Sequence, residues 1–154
     1  MRRSREEADE LLDRNRGIID ETGLGLYALE LKTTEEAIGF CGLTRTDLEP
    51  HLPDGTVEIG WRLAERFWGQ GHVTEAAKAL LIHAFDTLGL DEVVSFAVTT
   101  NVRSTSVMRR IGMRHDPVRD FNHPRVPDSH LALKRHVLYS ISRSEWQALA
   151  SRNS

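Results

Sequence analysis

Arg66-Phe67-Trp68-Gly69-Gln70-Gly71 sets two glycines one residue apart, directly ahead of a stretch with helical periodicity. In that stretch Val73, Ala76, Ala77, Leu80, Leu81, Ala84, Phe85 and Leu88 recur at the spacing of one helix face. Before the loop, Val57-Glu58-Ile59-Gly60-Trp61-Arg62-Leu63 reads as a strand. Strand, glycine loop and helix start together suit an anion. Glycine lets the backbone come close to a ligand, and the first amides of a helix have no internal partners. Those amides lie at the positive end of the helix dipole, which favours phosphate. A second set of polar residues follows one strand later: Asn101, Ser104 and Ser106, then Arg109 and Arg110. From Asn101 to Arg119 the arginines are Arg103, Arg109, Arg110, Arg114 and Arg119, against the single acid Asp116. Such a patch suits a small polyanion better than a duplex.

Three phosphate ligands compete for the loop. A nucleoside-triphosphate loop requires Gly-Lys-Ser/Thr, and here Gly71 is followed by His72-Val73-Thr74. A dinucleotide loop requires a third glycine where Thr74 stands, although Asp91 lies at about the right distance for a ribose contact. The chain is also short for a six-strand doubly wound sheet. The third reading, coenzyme A, is what the resemblance described below implies.

The 154 residues predict a single domain over 1–154 with room for a core. A hydrophobic share of 40% and a charged share of 28% read as globular and soluble. The net charge of -3 argues against a nucleic-acid partner. Cys41 stands alone, so no intrachain disulfide can form. No signal peptide or membrane-length apolar run is legible, and a cytoplasmic protein without a membrane partner is expected. No His-x-His or His-Glu-x-x-His occurs, so no metal is expected.

The elements that must position these residues follow from periodicity and breakers. A helix is expected from Ser4 to about Asp20, with Ser4 and Glu7 as a capping box. Strands are expected over Leu24–Lys32, Ala37–Asp47, Thr56–Leu63, Glu92–Val98 and Ala132–Ser142. Helices are expected from the glycine loop to about Leu88, over Asn101–Ile111, and after Ser144-x-x-Gln147. A long loop is expected over Asp116–His130. The order α-β-β-β-α-β-α-β-α describes an α+β domain with an early antiparallel hairpin and a central βαβ unit.

These motifs resemble those of the GNAT N-acetyltransferases, and most closely the branch similar to the ribosomal-protein N-terminal acetyltransferases. That family's loop, Gln/Arg-x-x-Gly-x-Gly/Ala, is matched by Arg66, Gly69 and Gly71. Trp68, the run Thr74-Glu75-Ala76 and the strand residues Glu58-Ile59-Gly60-Trp61 fit the branch. Asn101, Ser104 and Ile111-Gly112-Met113 match the second motif. The resemblance covers roughly residues 24–145 and implies a curved mixed sheet whose central strand pair, Thr56–Leu63 and Glu92–Val98, splays apart. It implies acetyl-CoA in that V as co-substrate. The pyrophosphate would lie on the amides of Gln70, Gly71, His72 and Val73, and the pantetheine along Trp61, Arg62 and Leu63. Arg66 either assists the phosphates or covers the loop, and the Thr74 hydroxyl is a further phosphate donor. Asn101 sits near the cofactor amides, caps the following helix, or does both. Arg109 and Arg110 are candidates for the ribose 3′-phosphate.

Glu58 is the candidate base, and it should face away from Val57 and Ile59. The family's tyrosine acid has no counterpart after the second motif, because Tyr27 and Tyr139 are the only tyrosines and both read as strand residues. Ser104 or Ser106, or water, is left to protonate the thiolate. Asp120-Phe121-Asn122-His123-Pro124 and His136 are candidates for the acceptor pocket, with His123 a possible proton relay. The acceptor implied is a protein N-terminus or a small amine; the alternative is a CoA-binding module with little catalysis. Family members also carry a strand and helix ahead of Ser4. Their absence predicts either a misplaced start or a shorter sheet whose edge is covered in a homodimer.

Overall fold

The computed structural model describes residues 22–152. The helix expected over residues 4–20 lies outside the described residues. The strands are β1 (Gly25–Glu30), β2 (Ala37–Arg45), β3 (Val57–Leu63), β4 (Glu92–Val98), β5 (Arg114–His115), β6 (Phe121–Asn122) and β7 (Arg135–Ser142). The helices are α1 (His72–Ile82), α2 (Val102–Arg110), α3 (Leu131–Lys134) and α4 (Arg143–Arg152). The strands form one mixed sheet in the order β1-β2-β3-β4-β7-β5, with β6 also paired to β7. Only β3 and β4 run parallel; the other pairs are antiparallel. Among the described residues no helix is long and apolar enough to cross a membrane.

Alternation along the central strands sorts side chains to two cores. Cys41, Leu43, Ile59 and Val93 pack with Ala77 and Leu81 of α1 and Met108 of α2. The opposite face is smaller: Val94 and Leu138 pack with Phe121 and with Leu48 and Leu52 of the β2–β3 connection. β4 is buried on both faces, which explains its continuous apolar run. Trp146 of α4 stacks on Phe85, with ring centroids 5.3 Å apart, and closes the helical layer.

Three expected boundaries shift. The strand expected from Ala132 begins at Arg135, and Leu131–Lys134 form a helical turn instead. Leu, Ala and Lys are strong helix formers, and four residues are too few for alternation to decide. The expected loop over Asp116–His130 contains β6, where Phe121 pairs with His136. The last helix is capped by Ser142 and Glu145, not by Ser144 and Gln147. The Glu145 N–H donates to Ser142 Oγ at 3.1 Å, and the Ser142 N–H donates to Glu145 Oε1 at 3.1 Å. Both spacings fit a capping box, and the one that matches the end of β7 forms.

Candidate active site

The site is built where the sheet opens. β2 and β3 stay in register over seven residue pairs, as do β4 and β7. Between them β3 and β4 share a single pair, Glu58 with Val94. Past that pair the strands part toward their C-terminal ends. The Ile59 carbonyl points into the gap, where it accepts a 2.8 Å hydrogen bond from Ser95 Oγ. In a strand the N–H and C=O of one residue point to the same side and those of the next residue to the other. Trp61 and Leu63 therefore also face the gap, and Ala64 faces β2, where its N–H donates to the Ile38 carbonyl at 2.8 Å. The Leu63 carbonyl is taken by the Trp68 indole N–H at 3.0 Å. That leaves the peptide edge of Trp61 beyond the last rung of the ladder.

The glycine loop begins with one tight turn, Glu65–Phe67. Gly69 (φ 77°) and Gly71 (φ 80°) then take the left-handed conformation, which side chains disfavour. Gly71 is the N-cap of α1 and supplies no side-chain acceptor. Its carbonyl takes the Glu75 N–H at 3.0 Å, so the amides ahead of Glu75 have no partner within the helix. Across the gap, Asn101 caps α2, its Oδ1 accepting from the Ser104 N–H at 3.2 Å. Loop, strand edge and α2 enclose a cavity of about 730 Å³, within the range of small-molecule sites. Arg62, His72, Arg103 and Arg110 line it, and among the described residues no acidic one does. The Arg103 guanidinium lies 3.6 Å from the Trp68 ring centroid and bridges the two walls.

Glu58 lies at the base of the opening on the other face of the sheet. Burial pushes its carboxyl up to about 7, opposed by a 3.5 Å hydrogen bond from the Thr44 hydroxyl and by the charge of Arg125. Gly60 is on the same face two residues on, and a Cβ there would meet nothing within 4 Å. The carboxyl thus borders open space. Beyond it on this face, Phe96, Phe121, His51, His123 and His136 form one ring cluster, with His123 and His136 5.0 Å apart. Burial and the neighbouring His136, Arg125 and His51 hold His123 below the usual imidazole range. Its Nδ1 accepts the Arg125 N–H at 3.2 Å.

The model of the acetyltransferase (GNAT) domain matches residues 1–114. The chain belongs to the GNAT acetyltransferase family. Over 89 residues, 58% of the chain, it is 38% identical to the FsC-acetyl coenzyme A-N(2)-transacetylase of Aspergillus fumigatus, and covers 37% of that protein. It spans from about a third to somewhat over half of the curated relatives it matches. An acetyltransferase structure from Agrobacterium tumefaciens is 29% identical, with a TM-score of 0.64 over 90% of this chain and 72% of that one. The ribosomal-protein-S5-alanine acetyltransferase of Vibrio fischeri superposes with a TM-score of 0.74 over 94% of this chain and 78% of its own. At 16% identity that is a likeness of fold alone.

The GNAT cavity collects most of the residues singled out in the sequence: Trp61, Arg62, Leu63, Trp68, Gly69, Gly71, His72, Val73, Thr74, Asn101, Ser104 and Ser106 all line it. Four others stand elsewhere. Glu58 is on the opposite face, as alternation requires. The Gln70 side chain turns to His72, with Oε1 3.2 Å from Nε2. Arg66 pairs with Glu36 and covers the Phe67 ring at 4.8 Å, outside the cavity. Arg109, a candidate cofactor ligand in the sequence, is not among the residues that line the cavity. Its guanidinium donates to the Tyr139 hydroxyl at 2.9 Å, so it is turned to β7. Helical spacing explains this: Arg103 and Arg110 are seven residues apart on one face, and Arg109 is a hundred degrees away. Tyr139 is held between Arg109 and His115, whose ring stacks at 5.2 Å, and does not reach the cavity. Ser95 was not foreseen, and Arg103 was read only as one member of the basic patch. The only sequence signal for Ser95 is a polar residue inside a buried strand.

Proposed function

We propose that this chain is an acetyl-CoA-dependent N-acetyltransferase that moves acetyl directly to an amine, either a protein N-terminus or a small molecule. The observation that carries the reading is one continuous cavity. It joins the partnerless amides at the start of α1 to the free peptide edge of Trp61, and Glu58 lies at the base of the strand opening on the other face of the sheet. The residues fit coenzyme A on three counts. Helix amides and the lining arginines, Arg62, Arg103 and Arg110, suit its phosphates. The strand edge offers the hydrogen bonds its pantetheine amides need. The Trp61 N–H is a donor for the oxyanion that forms when an amine adds to the thioester carbonyl.

Glu58 takes the proton that the attacking nitrogen must lose as the C–N bond forms. The C–S bond then breaks, and the leaving thiolate receives a proton from Ser104, Ser106 or water. Acceptor choice falls to the face of Glu58, Phe96 and the histidine cluster. The names of the relatives point both ways, since one describes an N(2)-transacetylase and another, 35% identical over 91 residues, a putative ribosomal N-acetyltransferase.

The test is thiol release from acetyl-CoA with a panel of amines and N-terminal peptides. Amine-dependent release supports the reading. Tight CoA binding with no release by any amine would leave a binding module. In thermal shift, acetyl-CoA and CoA should stabilise the protein selectively; equal stabilisation by NAD would overturn the CoA assignment. The arginines give a sharper check. Arg103→Ala and Arg110→Ala should each weaken CoA about fivefold, roughly 1 kcal/mol for an exposed charged contact, and more at low salt. Arg109→Ala should leave CoA affinity within about twofold while lowering the melting temperature through the lost Tyr139 contact. Calorimetry at two salt concentrations separates these outcomes.

A further inference from the structure

The β3–β4 opening has a defined starting point, and a side chain sets it. Glu58 and Val94 form the last backbone pair between the strands. In a continued parallel ladder the Ile59 carbonyl would accept from the next backbone N–H of β4. It accepts from Ser95 Oγ instead, at 2.8 Å. Ser95 is 2% exposed, and its backbone is paired on the other side with Tyr139 of β7. A carbonyl buried there without a donor would lose hydrogen bonding that water cannot restore. The hydroxyl thus satisfies Ile59 without drawing β3 and β4 together. A backbone donor in its place would close the strands by a further rung and bring β4 across the edge of Trp61.

We propose that Ser95 is a positioning residue: its hydroxyl ends the β3–β4 ladder at Ile59 and holds open the strand edge that receives the pantetheine arm. The proposal rests on the acetyl-CoA reading and assigns Ser95 no contact with the reacting atoms. It separates two halves of the ligand. The phosphate half lies on the glycine loop and α2, which Ser95 does not touch. The pantetheine half depends on how far the strands part.

The experiment measures the affinity of Ser95→Ala for CoA and for its nucleotide half, 3′-phosphorylated ADP, by calorimetry. CoA should weaken about tenfold, the scale of one buried hydrogen bond, and the nucleotide half by no more than about twofold. Amine-dependent kcat should fall at least about tenfold, because a small misplacement of the reacting carbonyl is costly. Ser95→Thr, which keeps the hydroxyl, should restore CoA affinity to within about threefold. Ser95→Cys, close to serine in size but a poor donor, should behave as alanine does and serves if the alanine variant does not fold. Equal weakening of both ligands, or unchanged CoA affinity in Ser95→Ala and Ser95→Cys, would overturn the proposal. A wild-type protein that binds neither ligand would instead overturn the acetyl-CoA reading on which it rests.

Discussion

Gly71→Val is expected to abolish coenzyme A binding and leave the protein folded. Gly71 sits at φ 80° and ψ 5°, in the left-handed region, as the N-cap of α1. A β-branched residue there costs about 1–2 kcal/mol, a tolerable part of the roughly 5–15 kcal/mol that holds a domain together. A Cβ at Gly71 would meet no protein atom within 4 Å. The fold therefore has room for the side chain, and the room lies in the cavity wall. A valine there would stand where a phosphate must approach the amides ahead of Glu75. Relief of the strain would also turn those amides away from their common focus. Both effects fall on the ligand, so CoA affinity should drop by more than about a hundredfold, or some 2.7 kcal/mol. Calorimetry should show no saturable binding, and circular dichroism should show wild-type helix content. Gly69→Val, at φ 77° with the same open surroundings, should behave alike. Affinity within a few-fold of wild type in both variants would place the pyrophosphate elsewhere.

The loop was legible because its chemistry is local. Two glycines, a strand before them and an amphipathic helix after them set the turn and the helix start within about thirty residues of chain. The strand pair was legible for the same reason: Val57 and Ile59 bracket Glu58, and alternation alone sends the carboxyl to the other face. Residues that act across the sheet were harder to read. Ser95 is an ordinary small polar residue until β3 is placed beside it, 36 positions earlier in sequence. Arg103 and Arg109 are chemically identical, and only the facing of α2 sends one to the cavity and the other to Tyr139. Leu131–Lys134 shows the limit of periodicity, because a single helical turn and a strand end read alike over four residues. The raised carboxyl of Glu58 was equally hidden. A glutamate on an alternating strand reads as exposed; its burial follows from what covers that face.

Glu58→Gln is expected to lower activity and raise stability at once, with opposite dependences on pH. The Glu58 carboxyl titrates near 7 in the folded protein, against an ordinary 4.5, because burial disfavours the charged form. As a base it must be ionised, so kcat/KM should rise with pH through about 7. The glutamine variant should lose about a hundredfold in kcat. Any rise with pH that remains should follow the pKa of the acceptor amine and move when the amine is changed. Folding carries the opposite sign. Between about 4.5 and 7 the folded state holds a proton that the unfolded state has released. The stability this group contributes is full below the lower value and lost as pH rises through the upper one. At pH 8 the wild-type fold carries a buried charge that glutamine does not, a difference on the order of 2–3 kcal/mol. The Thr44 hydroxyl can still donate to the amide oxygen of glutamine, so the variant leaves no new unpaired donor. The melting temperature of Glu58→Gln relative to wild type should therefore increase by several degrees from pH 5 to pH 8. A carboxyl held near neutrality in this way costs the fold stability above that pH. A difference in melting temperature that stays flat across that range would mean that Glu58 ionises normally, and an unchanged pH–rate profile would remove it from the proton path.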